Sequence, residues 1–171
     1  DGARTTLWRS VGRSGTFAST LLADRPTEER ERTDWFLTWA VPVDRDGGVV
    51  PLPADLEPVV HAPTPTDTEL DLPAVLIGSF PLSSDRRTVR TGPATDLLLT
   101  EAATAYCTLL RRLGTRAALD LVPGPRVGGG IVDTTFRDRI GEPLRDTPFL
   151  TTATGAPVTP RDAILLDIGG E

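Results

Sequence analysis

A strand, a charged loop and a long helix follow one another in residues 72–113, and this run constrains the fold more than any other part of the chain. Gly92 and Pro93 prevent the helix from beginning earlier, and Asp96 can place a negative charge in its first turn. Gly114 is a residue type that commonly ends a helix. Between these limits apolar side chains recur at spacings of three and four: Leu98, Ala102, Ala105, Leu109 and Leu113. The spacing predicts one long helix that buries a single face.

The residues before this helix predict a buried strand and an arginine-rich loop. Residues 73–80 form a short apolar run that begins with Pro73 and is followed by Pro81, which is typical of a strand. The connection that follows carries Asp85, Arg86, Arg87 and Arg90. Three guanidinium groups therefore lie on a short loop that is expected to be anchored at both ends.

Overall charge restricts the class of partner. The chain has 171 residues and a net charge of −6, and its 18 basic residues are dispersed. A nucleic-acid partner would require a basic face, so no nucleic acid is expected. The arginine loop is instead a local positive spot that suits one phosphate or carboxylate group.

Missing residue types exclude several kinds of chemistry. The chain has no Lys, which excludes a phosphate-loop lysine and a Schiff base. His61 and Cys107 are the only residues of their types, so they cannot build a zinc site of thiolates and imidazoles, and no metal site is predicted. Cys107 is interpreted as a small core residue. The absence of an internal disulfide, a signal peptide and a long apolar run predicts a cytoplasmic protein without a membrane partner.

Two features are predicted before residue 34. Residues 7–11 and 16–22 flank Gly12-Arg13-Ser14-Gly15, which indicates an antiparallel hairpin with its turn at the two glycines. The dense charges of residues 24–34 indicate a solvated loop or a short surface helix.

Residues 34–43 have the clearest strand pattern. Bulky apolar residues alternate with Phe36, Thr38 and Ala40, so both faces of the strand are expected to be covered. The alternating set is Trp35, Leu37, Trp39, Val41 and Val43.

Six prolines in residues 51–73 rule out a continuous helix and favour an extended tether over the surface. Asp67, Glu69 and Asp71 lie two residues apart in it and are interpreted as solvated edge charges in preference to a hard-cation site. His61 is interpreted as a structural or surface histidine, because no nucleophile has a recognisable relation to it.

The last third of the chain predicts a strand at residues 117–122 and a further helix. Asp133 is expected to be the N-cap of that helix, which uses Phe136, Ile140 and Leu144 and is limited by Pro143. Residues 148–160 are expected to be a loop, and residues 163–168 are a last apolar run. The glycine runs at 127–130 and 167–170 lack the surrounding pattern of nucleotide-binding loops.

The predicted fold class is α/β: a mixed sheet with an N-terminal antiparallel hairpin and at least two helices packed on it. Residues 1–171 are expected to form one module, with a possible subdivision into a hairpin and strand region (1–50), a Pro-rich tether (51–73) and an α/β core (74–171). A chain that begins at Asp1 is interpreted as a piece excised from a longer protein.

Residues 80–90 read Phe-Pro-Leu-Ser-Ser-Asp-Arg-Arg-Thr-Val-Arg and precede the long helix. This segment resembles the middle-domain loop of the ninety-kilodalton heat-shock chaperones, in which Leu-Pro-Leu-x-x-Ser-Arg-Glu precedes a long helix. Pro81, Leu82 and Arg86 match without a gap. Residues 35–42, 61–67 and 121–125 also resemble actinobacterial proteins with a sacsin-like ATP-binding region.

The resemblance implies an upstream ATPase domain of the GHKL type in the same chain, with ATP and magnesium bound there and none bound by this segment. Arg86 would then contact the γ-phosphate when the domains close, as a charged planar fork of donors. Arg87 and Arg90 stand where the family has glutamate and glutamine, and they are candidates for a second contact. Client proteins and a homodimer are further partners that the family suggests.

Three functions stay open from the sequence. The first is the middle segment of a chaperone-like ATP-binding protein. The second is a passive interaction or scaffold module, in which the loop arginines pair with surface acids such as Asp85. The third is a free-standing enzyme, which is disfavoured because no nucleophile, base and orienting group can be assembled.

Overall fold

A computed structural model describes residues 6–124 and 128–164. Its main sheet has five strands in the order β1-β2-β5-β3-β4, in which β3 and β5 are parallel and the other neighbours are antiparallel. The strands are β1 Leu7–Thr16, β2 Asp34–Val43, β3 Val59–His61, β4 Pro65–Glu69 and β5 Val75–Gly78, and a separate pair comprises β6 Leu150–Thr151 and β7 Pro157–Val158. The helices are α1 Thr27–Arg30, α2 Pro93–Leu113, α3 Thr115–Leu119 and α4 Ile131–Arg145, with a 3₁₀ helix at Ser19–Leu22. The predicted α/β class with a mixed sheet and packed helices is confirmed.

The N-terminal strands are antiparallel, but the predicted turn is wrong. β1 runs unbroken through Gly12 and Gly15 and pairs with β2 along its whole length. A Cβ at Gly15 would lie 2.7 Å from the ring of Trp35, and one at Gly12 would lie 3.1 Å from the Thr38 hydroxyl. The glycines therefore permit close approach of the two strands and do not form a turn.

The core lies between the sheet and the pair α2 and α4. Trp39 of β2 packs against Tyr106 and Phe136, with ring centroids 4.8 and 5.3 Å away. The Trp39 indole N–H donates a hydrogen bond of 2.9 Å to the Ala102 carbonyl. These contacts bury the face of β2 on which Trp39 lies and fix α2 across the sheet.

The second face of β2 is less covered than the sequence predicted. Phe36 is 43% exposed, and Thr38 and Ala40 are half-buried. Helices pack on the other face, so the expectation that both faces are covered is wrong for this strand.

The predicted Pro-rich tether is also wrong, because residues 51–73 contain β3 and β4. Val60 is fully buried in the sheet. Pro63 lies in the turn between the two strands, and Pro65 begins the edge strand β4, where a missing N–H is tolerated. The extended backbone was predicted correctly, but its place in the sheet was not.

Residues 117–122, which were expected to be a strand, instead include the end of α3. Gly114 has a φ of 81° and lets the chain turn from α2 directly into this short helix. Ala117 and Ala118 are buried there. Alanine has a high helix propensity, and here this propensity outweighs the tendency of a short apolar run to form a strand.

The next helix, α4, was predicted, but its cap was not. Gly130 is the residue before the helix, and Asp133 lies in the first turn with its side chain 1% exposed. Its carboxylate accepts hydrogen bonds from Arg137 and from the Asp71 N–H and is therefore not a cap. The helix continues two residues beyond Pro143.

The expected loop at residues 148–160 includes the antiparallel pair β6 and β7. Most of the predicted apolar run at 163–168, the 167–170 glycine motif and Val127 lie outside the described residues. Within the described ranges, no helix is both long and apolar enough to cross a membrane.

Candidate functional site

The arginine loop, residues 81–90, closes on itself between β5 and α2. Leu82 and Val89 form an antiparallel bridge, and the Ser83 N–H donates to the Thr88 carbonyl at 2.9 Å. Val89 is buried and connects the loop to the core. The sequence prediction of a short loop with anchored ends agrees with this geometry.

Edge strand β4 holds the loop from one side. The Asp67 N–H donates to the Arg87 carbonyl at 2.6 Å, and the Val89 N–H donates to the Thr68 hydroxyl at 2.8 Å. The loop backbone is thus fixed to the sheet, and its side chains project from a defined frame.

Asp85 stabilises the turn of the arginine loop. Its carboxylate accepts hydrogen bonds from the Ser83 hydroxyl and from the Arg87 N–H. The Ser83 hydrogen bond, followed by that of the Arg87 N–H, lowers the pKa of Asp85. Asp85 is therefore engaged with the loop's own groups and forms no ion pair with the Arg86 guanidinium.

Arg86 lies at the tip of the loop with its side chain exposed. Its φ of 58° is the only positive value among the described residues other than glycine. The backbone N–H donates to the Ser83 carbonyl at 2.9 Å. The guanidinium makes no hydrogen bond or ion pair with any residue in the described ranges, so all its donors are available to a ligand.

Arg87 points away from Arg86. Its Nε donates to the Asp67 carboxylate at 2.8 Å, and both side chains are more than half exposed. This pair lies against β4. The structure therefore separates two arginines that are adjacent in sequence.

Arg90 is held near the start of α1. Its Nη2 lies 3.2 Å from the Asp24 carbonyl and 3.5 Å from the Asp24 carboxylate. The Arg90 carbonyl accepts a hydrogen bond of 2.6 Å from the Thr95 hydroxyl, which joins the loop to α2. Arg90 thus connects three segments of the chain.

A groove runs between the arginine loop and residues 17–36. We call it the arginine groove, because Arg25, Arg32, Arg86 and Arg90 line it. Its volume is about 660 Å³. Of the three loop arginines predicted as site residues, Arg86 and Arg90 both line this groove, whereas Arg87 does not.

Arg25 is the site residue that sequence reasoning missed. The run at residues 24–34 was interpreted as solvated, and α1 is indeed exposed, but Arg25 is only 5% exposed. Burial lowers its pKa, against the opposing effect of Glu29. One arginine in a dense run of both charge signs has no sequence signal that marks it as buried.

His61 is buried at the end of β3. It is 6% exposed, and its Nε2 has no hydrogen-bond partner within the described ranges. Burial lowers the pKa of His61, and a hydrogen bond with the Glu57 backbone opposes this shift. No group of three or more His, Cys, Asp or Glu within the described ranges could hold a metal ion.

Cys107 is also buried, and burial raises the pKa of its thiol. Its position inside α2 agrees with the prediction of a small core residue.

No protein-family model, curated protein or solved structure matches the chain.

Proposed function

We propose that this chain is the middle segment of a chaperone-like ATP-binding protein and that it supplies Arg86 to the nucleotide of an upstream GHKL-type ATPase domain. The observation that carries the proposal is the free guanidinium of Arg86 at the tip of a loop that is fixed to β4 and α2. A free cation on a fixed frame is what an incoming phosphate requires.

Arginine chemistry suits this role. The guanidinium stays charged and presents a planar fork of N–H donors that matches phosphate oxygens. Because hydrogen bonds already hold the loop backbone, little ordering is required when the phosphate arrives. Mg-ATP would be bound by the upstream domain, and Arg86 would neutralise charge that develops on the transferred group.

The second contact is best assigned to Arg90. Arg90 and Arg86 line the same groove, whereas Arg87 is paired with Asp67 against β4. The Arg90 Nη2 lies 3.5 Å from the Asp24 carboxylate. This contact is loose, so a phosphate group could take the place of the carboxylate. The chaperone family has glutamate and glutamine where this chain has Arg87 and Arg90. The assignment therefore gives the second contact to the arginine at the glutamine position.

The proposal includes a cytoplasmic location and two kinds of partner, client proteins and a second copy of the chain. Exposed aromatic side chains on β1 and β2, Trp8 at 40% and Phe36 at 43%, are available for contacts with other proteins.

A passive scaffold is the second candidate, and specific contacts favour it. Arg87 and Arg90 both pair with surface acids, as a purely structural loop would require. Arg86 distinguishes the two functions, because a nucleotide contact requires an unpaired guanidinium on the loop, whereas a passive scaffold does not.

Arginine-specific modification tests the proposed contact. In the longer protein, phenylglyoxal should modify Arg86 readily without nucleotide, and a non-hydrolysable ATP analogue with Mg²⁺ should protect it. Mass spectrometry would measure the modified fraction at each arginine. Arg112, an exposed residue in the last turn of α2, is the control and should react equally in both states. Equal modification of Arg86 with and without nucleotide would favour the scaffold.

A further inference from the structure

We infer that the arginine groove is a binding site for a phosphate monoester attached to an apolar body, and that Arg25 and Arg32 are its main ligands. This inference goes beyond the proposed nucleotide contact, because Arg25 and Arg32 have no role in that contact; Arg86 and Arg90 line the same groove and are shared by both proposals. It would operate in the chain by itself, without an ATPase domain.

The groove has an excess of positive charge on an acidic chain. Four arginines line it, against the two acids Glu29 and Asp34. The whole chain has a net charge of −6, so this local excess of cations opposes the overall balance. An anion is therefore attracted to the groove and repelled by most of the remaining surface.

Free donors point to an anionic ligand. The guanidinium of Arg32 is exposed and, like that of Arg86, makes no hydrogen bond or ion pair within the described part of the chain. A tetrahedral dianion offers three oxygens and can satisfy several guanidinium forks at once.

Arg25 contributes a buried positive charge beside the groove. Its side chain is 5% exposed, and its Nη1 is itself buried and has no hydrogen-bond partner among the residues that the structure describes. Glu29 Oε2 lies 3.3 Å from this nitrogen, close enough for an ion pair but without the alignment of a hydrogen bond. A buried, poorly satisfied charge is costly, and a bound dianion in the groove would offset that cost.

The apolar walls of the groove indicate which group is attached to the phosphate. Phe17, Phe36, Pro63 and Leu82 contribute apolar surface beside the arginines. A volume of about 660 Å³ suits a small organic molecule or a single phosphorylated side chain with its neighbours. These two kinds of ligand have one chemical feature in common, which is a phosphate monoester on an aromatic or aliphatic group.

Phenyl phosphate is the probe that tests the inference on the 171-residue chain. We expect saturable NMR shifts in the groove residues and tighter binding than for inorganic phosphate, because the phenyl group gains contact with the apolar walls. Benzoate, with one negative charge and fewer oxygens, should bind more weakly than phenyl phosphate. A peptide with one phosphotyrosine, compared with its unphosphorylated form, separates a protein ligand from a free small molecule.

Two variants and one control identify the arginines that bind. Arg32→Ala should raise the Kd for phenyl phosphate by at least about tenfold, since a charge-assisted hydrogen bond is lost. Arg25→Met should also weaken binding while the empty chain keeps or gains thermal stability, because an unsatisfied buried charge is removed. Arg87→Ala removes a guanidinium from the same loop but outside the groove, and it should leave the Kd unchanged.

Three results would overturn the inference. The first is a lack of saturable shifts for phenyl phosphate in the wild-type chain. The second is equal weakening by Arg87→Ala and Arg32→Ala, which would mean that general charge attraction explains the binding. The third is a destabilised Arg25→Met chain that still binds phenyl phosphate with wild-type affinity. None of these results bears on the protection of Arg86 by nucleotide, so the two proposals fail separately.

Discussion

Adjacent arginines on one loop have different surroundings. Arg86 is free at the tip, Arg87 is paired with Asp67 at 2.8 Å, and Arg90 is near Asp24. The backbone at Arg86 has a φ of 58°, and this local conformation accompanies the separation of its side chain from that of Arg87. Residue type alone therefore does not determine which arginine can receive a ligand.

His61 gives a prediction about pH. Burial lowers the pKa of His61 below its ordinary value of 6.5, so the unfolded chain takes up a proton there more readily than the folded chain. The stability due to neutral, buried His61 is full above about pH 6.5 and is lost as the pH falls from there towards the lower pKa of the folded state.

We compare the wild type with His61→Phe, which cannot be protonated. The free energy of unfolding of the wild type, minus that of the variant, should decrease between about pH 7 and pH 5.5. Urea unfolding at each pH measures this difference. The contributions of the carboxylates cancel in it, because both proteins have the same carboxylates. A difference that is constant or that increases on acidification would contradict the predicted direction.

At the scale of elements, α2 organises the fold. Its apolar face packs on β1 and β2 and against α4, and eleven of its residues are buried. The boundaries of this helix, Pro93 and Leu113, are those that the sequence predicted. A proline, a glycine and a regular apolar spacing are local signals, so they could be interpreted without knowledge of the tertiary structure.

Leu109 tests the packing of α2. Its side chain is 1% exposed, so Leu109→Ala should reduce the free energy of unfolding by about 2–5 kcal/mol through lost contacts and a cavity. Thr104→Ala on the exposed side of the same helix should change it by less than about 0.5 kcal/mol. Urea unfolding would measure both, and a similarly small loss at Leu109 would show that this face of the helix is not in the core.

A buried ion pair connects α4 to the rest of the molecule. Arg137 donates to the Asp133 carboxylate at 2.8 Å and to the carbonyls of Gly124 and Asp71. Asp133 is 1% exposed, so its charge depends on this partner. The pair spans one turn of the helix and ties two loops to it.

Arg137→Met should therefore lower the free energy of unfolding by about 3–5 kcal/mol, because it leaves Asp133 buried without a cation. Arg145→Met on the same helix breaks an exposed pair with Glu142 and should cost less than about 1 kcal/mol. Unfolding in urea would separate the two. Equal losses would mean that Asp133 is not dependent on Arg137.

Elements whose signals are not local were harder to predict. β3 and β4 lie in a proline-rich segment, and their place in the sheet depends on pairing with β5 and with each other. The glycines of β1 indicated a turn, whereas they permit close approach to Trp35 and Thr38 of β2. The burial of Arg25 likewise depends on the fold around it and not on its neighbours in sequence.

At the scale of the whole molecule, an acidic chain presents an arginine-lined groove with Arg86 at its loop tip. We predict that the chain alone folds cooperatively but binds Mg-ATP no better than weakly, because the proposed function assigns the adenine and magnesium contacts to the upstream domain. Calorimetric titration measures this affinity. A micromolar Kd for the chain alone would contradict the assignment and favour an enzyme.

The most direct test of the proposed Arg86 contact is ATP hydrolysis by a protein that contains this chain together with the proposed upstream ATPase domain. A phosphate contact made on domain closure is stronger in the transition state, so its loss lowers turnover more than nucleotide affinity. A charge-assisted hydrogen bond contributes about 1.5–3 kcal/mol, which corresponds to roughly 10- to 150-fold in rate.

We therefore expect Arg86→Ala to reduce kcat for ATP hydrolysis by at least about tenfold and to change the Kd for ATP by less than about threefold. Arg87→Ala, which breaks only the pair with Asp67, should have a smaller effect on kcat. Equal kcat in the wild type and Arg86→Ala would contradict the proposed function.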